Sequence, residues 1–174
     1  MAFNVIPDKL TDYAVFDNGV EKLGTADIEL PNIEYLSDTI KGPGIGGEVD
    51  TPTVAMTASM TTKINWRTIN GDLTKLTAPE LHSLEFRSAI AHYDDAVGKI
   101  RQVPVAVEVR GLPKTSTLGT LDIGASTGSS NELETTYLKV TVDGVEKIEI
   151  NKFARVFRVN GVDYYADVRA ALGL

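Results

Sequence analysis

Cysteine is absent from the 174 residues. That excludes disulfides, thiol catalysis and thiolate metal sites, and it suits synthesis in a reducing cytosol. No apolar stretch reaches the length of a membrane-spanning helix. The first residues, Met1 to Tyr13, lack a basic segment followed by an apolar run, so no secretory signal is expected there. Histidine occurs only at His82 and His92, and tryptophan only at Trp66. With so few nitrogen ligands and no thiolates, zinc is left with carboxylates, and no metal site is expected. No internal repeat is visible. What remains is 43% hydrophobic and 24% charged, ordinary for a globular chain, and its length suits one domain over residues 1–174.

The net charge of −7 is unevenly placed. Residues 1–50 hold ten acidic and three basic side chains; residues 51–174 hold fourteen of each. The overall field repels phosphates, which disfavours strong nonspecific nucleic-acid binding. The acidic segment suits solubility, or a surface that meets a basic one on another subunit.

Candidate chemistry is thin. Gly42, Gly44 and Gly47 fit G-x-G-x-x-G in letters. The dinucleotide fingerprint needs a helix after the turn, whose free N–H groups meet a pyrophosphate. Here Pro43 removes one N–H, and a strand-like run follows, so the segment reads as a loop. His92, Tyr93, Asp94 and Asp95 sit together at an expected hairpin tip, a poor place to exclude water or tune a pKa. Glu132 and Glu134 read as solvated charge. No G-x-S-x-G occurs. Neither a catalytic set nor a cofactor site is expected, and the chain is not read as an enzyme.

The patterning is that of strands. Residues 53–64 alternate, with Val54, Met56, Ala58, Met60 and Ile64 on one face and Thr53, Thr57, Ser59, Thr61 and Lys63 on the other. Leu84, Phe86 and Ile90 alternate with Glu85 and Arg87. Val103, Val105, Val107 and Val109 alternate with Pro104, Ala106, Glu108 and Arg110. Val140 to Ile150 reads as a hairpin turning on Asp143-Gly144, and Phe153 to Val159 as a further strand. Residues 1–12 are expected to be a loose arm. Segments 41–50 and 111–132, rich in Gly, Ser and Thr, are expected to be flexible loops. Thr77 is expected to cap one short helix and Asp163 another. The fold class is mainly β: an antiparallel β-sandwich or barrel with one or two short α-helices.

Three strands, 53–63, 83–91 and 104–110, carry a second face of small and polar residues. That suits the solvent side of a monomeric sandwich. It equally suits a sheet lining a wet channel in a ring, where strand edges are consumed by neighbouring subunits.

The end of the chain decides between them by resemblance. Tyr137, the Val-Asp-Gly turn at 142–144, Glu149-Ile150, Val-Asn-Gly-Val-Asp at 159–163 and Leu172-Gly173-Leu174 resemble the end of the major tail tube protein of contractile-tailed bacteriophages and R-type bacteriocins. Phe16, Gly19, Leu30-Pro31, the loop 42–47 and Arg110-Gly111-Leu112 fit the same family, and residues 62–102 depart most from it. The resemblance implies hexameric rings stacked into the inner tube of a tail, a surrounding sheath, a baseplate initiator, a tail terminator, and a channel that passes DNA without specific binding. It implies a place in the virion tail, with synthesis in the bacterial cytoplasm. On this reading Thr57, Ser59, Thr61, Glu85 and Glu108 are expected to face the lumen, with Arg87 and Arg110 paired or near its rim. Phe3, Val5, Gly44, Ile45, Lys152, Arg155 and Arg158 are expected at contacts between subunits. The alternative is a soluble monomeric β-sandwich binding module.

Overall fold

The computed structural model describes residues 5–24, 26–94 and 98–174. Its first strand, β1 (Val5–Asp17), is followed by β2 (Glu21–Lys22), β3 (Ala26–Glu29), β4 (Tyr35–Lys41), β5 (Glu48–Thr57) and β6 (Thr61–Trp66). A short helix, α1 (Gly71–Lys75), leads into β7 (His82–Asp94), β8 (Lys99–Thr117) and β9 (Ser129–Val142). Then come β10 (Val145–Asn151), β11 (Val156–Val159), β12 (Val162–Asp163) and α2 (Ala166–Leu172).

One antiparallel sheet runs in the order β12-β11-β10-β9-β8-β7-β1-β2. The edge of β9 away from β8 is shared: β6 pairs its first half and β10 its second, and β3 pairs β6. This split lets the sheet fold over one core. The valines of β8 alternate as expected, with Val103, Val107 and Val109 buried. Val107 and Val109 pack with Leu84, Phe86, Leu133, Leu138, Ile150 and Phe157, and with Met60, Ile64 and Trp66 from the β6 side. Fully burying one such side chain stabilises by about 1.5–3 kcal/mol.

The β9–β10 hairpin turns on Asp143 (φ 50°) and Gly144 (φ 76°), joining the pair Val142 and Val145. Two successive positive-φ residues give the primed turn whose twist matches the strands.

Several sequence expectations need correction. Residues 5–12 are not a loose arm but the outer half of β1, paired with β7 from Val5 opposite Asp94 onward. Pro7 is tolerated because β1 is an edge strand over this stretch, where a missing N–H costs no ladder bond. Residues 53–64 are two strands, not one. In β5, Ala55 takes φ 57° and the pairing jumps from Tyr35–Thr57 to Ser37–Pro52. The chain then leaves the ladder at 58–60. The phase also slips: Val54 and Met56 are exposed, whereas Met60 and Ile64 are buried.

The first helix starts earlier than expected. Asn70 caps it, its Oδ1 accepting from Leu73 N at 2.8 Å. Thr77 caps nothing; its hydroxyl donates back to Leu73 O at 2.8 Å. Leu73 and Leu76 are fully buried and dock α1 on the core. Asp163 lies in β12 rather than at the N-cap of α2, although its Oδ1 accepts from Tyr165 N at 3.0 Å. The loop placed at 111–132 shrinks to 118–128, because β8 runs to Thr117 and β9 begins at Ser129. The loop at 41–50 is the end of a β4–β5 hairpin, with residues 42–47 at its tip.

Candidate assembly surfaces

The outer face of the sheet carries a continuous row of directly opposed residues. It runs Lys22, Phe16, Glu85, Glu108, Lys139, Glu149, Arg158 and Asp163 across eight strands. Cross-strand neighbours lie about 5 Å apart at Cβ, so from Glu108 to Asp163 the row sets opposite charges side by side, while Glu85 and Glu108 form a like-charge pair. Arg158 bonds Glu146 at 3.1 Å and also Glu149. These contacts, Glu146 first, hold its guanidinium above the ordinary arginine value. Arg169 bonds Asp163 at 2.6 Å and holds that carboxyl below its usual range. Arg87 grips Glu85 through Nε at 2.8 Å and Nη2 at 2.6 Å and lies over the Phe16 ring, 4.2 Å from its centre. Arg110 lies over Tyr137 at 4.7 Å. Burial, with Glu149 and Glu108 nearby, pushes the Tyr137 phenol up. Arg87, Lys139 and Arg158 are spent on neighbouring carboxylates and Arg110 on a ring, while Lys22 at the end of the row is exposed.

The edges are less complete. Among the described residues no strand pairs the outer side of β1 before Phe16. Val5, Ile6 and Leu10 are exposed along it. Inside this edge, Leu10, Tyr13, Ile28, Leu30, Ile90 and Val105 line an open apolar groove of about 470 Å³ with Asp27 at its side. The β4–β5 hairpin forms a sheet of its own and is exposed from Tyr35 to Val54. Ile40 pairs Val49 on one face of this ribbon; Lys41 pairs Glu48 on the other. Its base is held by Tyr35, whose ring lies 5.8 Å from that of Phe157.

The residues singled out from sequence scatter over these surfaces. Glu85 and Glu108 face each other on the outer row. Thr61 stands opposite Glu134, which also accepts from the Ser59 hydroxyl. Thr57 closes the base of the hairpin opposite Tyr35. Val5 opens β1, and Gly44 and Ile45 sit at the exposed hairpin tip. Lys152 donates to Ala58 O at 2.7 Å. Arg158 is bound within the chain, whereas the Arg155 guanidinium makes no ion pair among the described residues. Phe3 lies outside the described residues. His82 is buried with Nε2 at 3.0 Å from Ala78 O, a structural contact. Among the described residues no group of His, Asp and Glu is arranged to hold a metal.

The edge of β1, the separate hairpin and the polar outer row are surfaces that the described chain leaves uncovered by its own packing. The sequence profile of the family described as "Phage tail tube protein FII" matches residues 7–173. The chain belongs to this phage tail tube family. The tail tube protein of Escherichia phage P2 is 27% identical over 179 residues, spanning 97% of this chain and 99% of that protein. Among solved structures, a chain of the PVC extracellular contractile injection system is similar in fold. It comes from the cryo-EM structure of the sheath/tube terminator in the extended state. It superposes with a TM-score of 0.54 at 15% identity, over 78% of this chain and 96% of that one. A chain of the PVC sheath-tube complex in the extended state gives 0.49 at 15% identity, over 79% and 90%.

Membership gives the chain a structural role in a tail tube, so its surfaces are read as parts of a phage or phage-like tail. Two exposed features escape a reading of the sequence. The unpaired length of β1 was hidden because Pro7 reads as a break. The exposed Leu121 and Ile123 were hidden because their Gly- and Ser-rich surroundings read as a slack loop. The signal was present in Leu-Asp-Ile at 121–123, two aliphatics in an otherwise small and polar stretch.

Proposed function

We propose that copies of this chain close into hexameric rings, and that the rings stack into the inner tube of a contractile tail. Family membership supports the tube, and the outer edge of β1 from Val5 to Asp12, which no strand pairs among the described residues, carries the ring. An edge of that length invites another chain, and closure satisfies every edge without leaving an end. The β4–β5 hairpin reaches out to neighbouring copies through Gly44 and Ile45, and Val5, Lys152 and Arg155 lie at contacts, whereas Arg158 stays with Glu146 and Glu149 in the outer row. A baseplate initiator starts the tube, a terminator ends it, and a sheath surrounds it.

The outer row faces the lumen, with Glu85 and Glu108 in the wall and Thr57, Ser59 and Thr61 bordering it. Because its arginines and Lys139 are already engaged, this wall offers phosphates few partners, and DNA passes without specific binding. The protein catalyses no reaction and carries no cofactor. It works in the virion tail, assembled from subunits made in the bacterial cytoplasm.

Negative-stain microscopy of concentrated protein, with and without preformed tube ends as seeds, tests this reading. Rings or tubes with a hollow centre are expected. A monomer at every concentration, seeded or not, overturns it in favour of a monomeric binding module.

A further inference from the structure

The following contact rests on the tube reading and names one seat within it. The loop 118–128 stands on a built base. Thr127 N donates to Arg67 O at 2.9 Å, Thr120 N to Thr127 O at 2.8 Å, and Ser129 Oγ to Leu118 O at 2.7 Å. Gly119, at φ 83°, passes so close that a Cβ there would lie 1.9 Å from Thr127 O. On this base the loop holds Leu121 at 85% and Ile123 at 102% exposure, on either side of Asp122. Aliphatic side chains held this far into water gain by burial against another surface.

A complementary groove lies near the other end of β6. It measures about 270 Å³ and is walled by Leu36, Met56, Val156 and Tyr165, with Lys152 and Arg155 in its lining. Lys152 is already engaged by Ala58 O and Glu134. Arg155 is the uncommitted cation. The groove therefore pairs aliphatic walls with one available positive charge, and the loop tip pairs two aliphatics with one carboxylate. The larger groove beside β1 carries Asp27 instead, the wrong sign for Asp122.

We propose that the Leu121-Asp122-Ile123 tip of one copy seats in this groove of a second copy, with Asp122 on Arg155. The loop is tied to Arg67, just past the end of β6, and the groove to Ala58, before its start. Extended chain between those points spans roughly 20 Å or more, so tip and groove of one chain do not meet. The contact is heterologous, and it repeats from copy to copy as a tube requires.

The absence of cysteine makes the test direct. A chain carrying both Ile123→Cys and Met56→Cys, two exposed sites, is oxidised where the wild-type chain is assembled. A ladder of disulfide-linked multimers is expected, and neither single variant gives more than a dimer. Asp122→Arg lowers the assembled fraction about tenfold, and adding Arg155→Asp restores it to within about twofold. Tubes without a ladder overturn the seat and leave the tube reading standing. A ladder without tubes keeps the seat and removes the tube reading; neither tubes nor ladder removes both. A ladder with no rescue by the charge swap keeps the seat and removes the Asp122–Arg155 pair.

Discussion

Lys75 Nζ sits 2.7 Å from Oδ2 of Asp17, whose side chain is only 2% exposed. The pair ties the end of α1 to the end of β1. Its two partners are not equivalent, because Lys75 is 42% exposed and can turn to water. Asp17 cannot, and its Oδ1 already lacks a hydrogen-bond partner. Removing the cation strands a buried carboxylate, so Lys75→Met is expected to cost about 3 kcal/mol. Asp17→Asn leaves a neutral side chain and a solvated lysine, and is expected to cost about 1 kcal/mol. Urea unfolding measures both. Equal losses mean that Asp17 is better solvated than its position allows.

Leu133 and Leu121 test which part of the β8–β9 region is structural. Leu133 is 1% exposed within the core cluster, whereas Leu121 is 85% exposed. Leu133→Ala is expected to destabilise by about 3 kcal/mol, through lost transfer energy and the cavity left behind. Leu121→Ala is expected to shift stability by no more than about 0.5 kcal/mol. The same unfolding curves decide it.

Glu85 and Glu108 face each other across β7 and β8, so Arg87 relieves a like-charge pair. Hydrogen bonding to Arg87 outweighs burial and holds the Glu85 carboxyl below its ordinary value of 4.5. A carboxylate depressed in the folded state contributes its stability above the unfolded pKa. That contribution is lost as pH falls through the folded pKa. Arg87→Gln is therefore expected to melt below wild type at neutral pH, with the gap closing as the solution becomes more acidic than pH of about 4. Thermal unfolding across pH reads this directly. A gap that stays constant into acid removes the carboxylate from the explanation.

Much of the sheet was legible because period-two patterning is a property of residues facing one side. The valines of β8 and the Asp143-Gly144 turn show it: each residue's chemistry matched its face or its φ. The break at 58–60 was not legible, because Ala and Met recur from β5 into it, Thr stands on both sides of it, and only the backbone at Ala55 departs. Pro7 misled for a related reason, since its effect depends on whether the strand has one neighbour or two. The outer row follows from register, which pairs Glu108 with Lys139 across the long β8–β9 connection and Glu149 with Arg158 across the shorter β10–β11 one. No local pattern reveals those partners. Thr77 was expected to cap the first helix where Asn70 does, because either side chain can accept from a free backbone N–H.

The β4–β5 hairpin separates assembly from folding most cleanly. Lys41 pairs Glu48, and the six residues between them are exposed. A Cβ added at Gly42, Gly44, Gly46 or Gly47 meets nothing within 4 Å, so the tip packs on no part of its own chain. Replacing residues 42–47 by Asn-Gly closes the same pair with a two-residue turn suited to the strand twist. The melting temperature is expected to stay within about 2 °C of wild type, since no buried contact is lost. The assembled fraction, followed by sedimentation velocity with seeds present, is expected to fall about tenfold or more as Ile45 and its neighbours are removed. Unchanged assembly takes the hairpin tip out of the interface and leaves the edge of β1 to account for it.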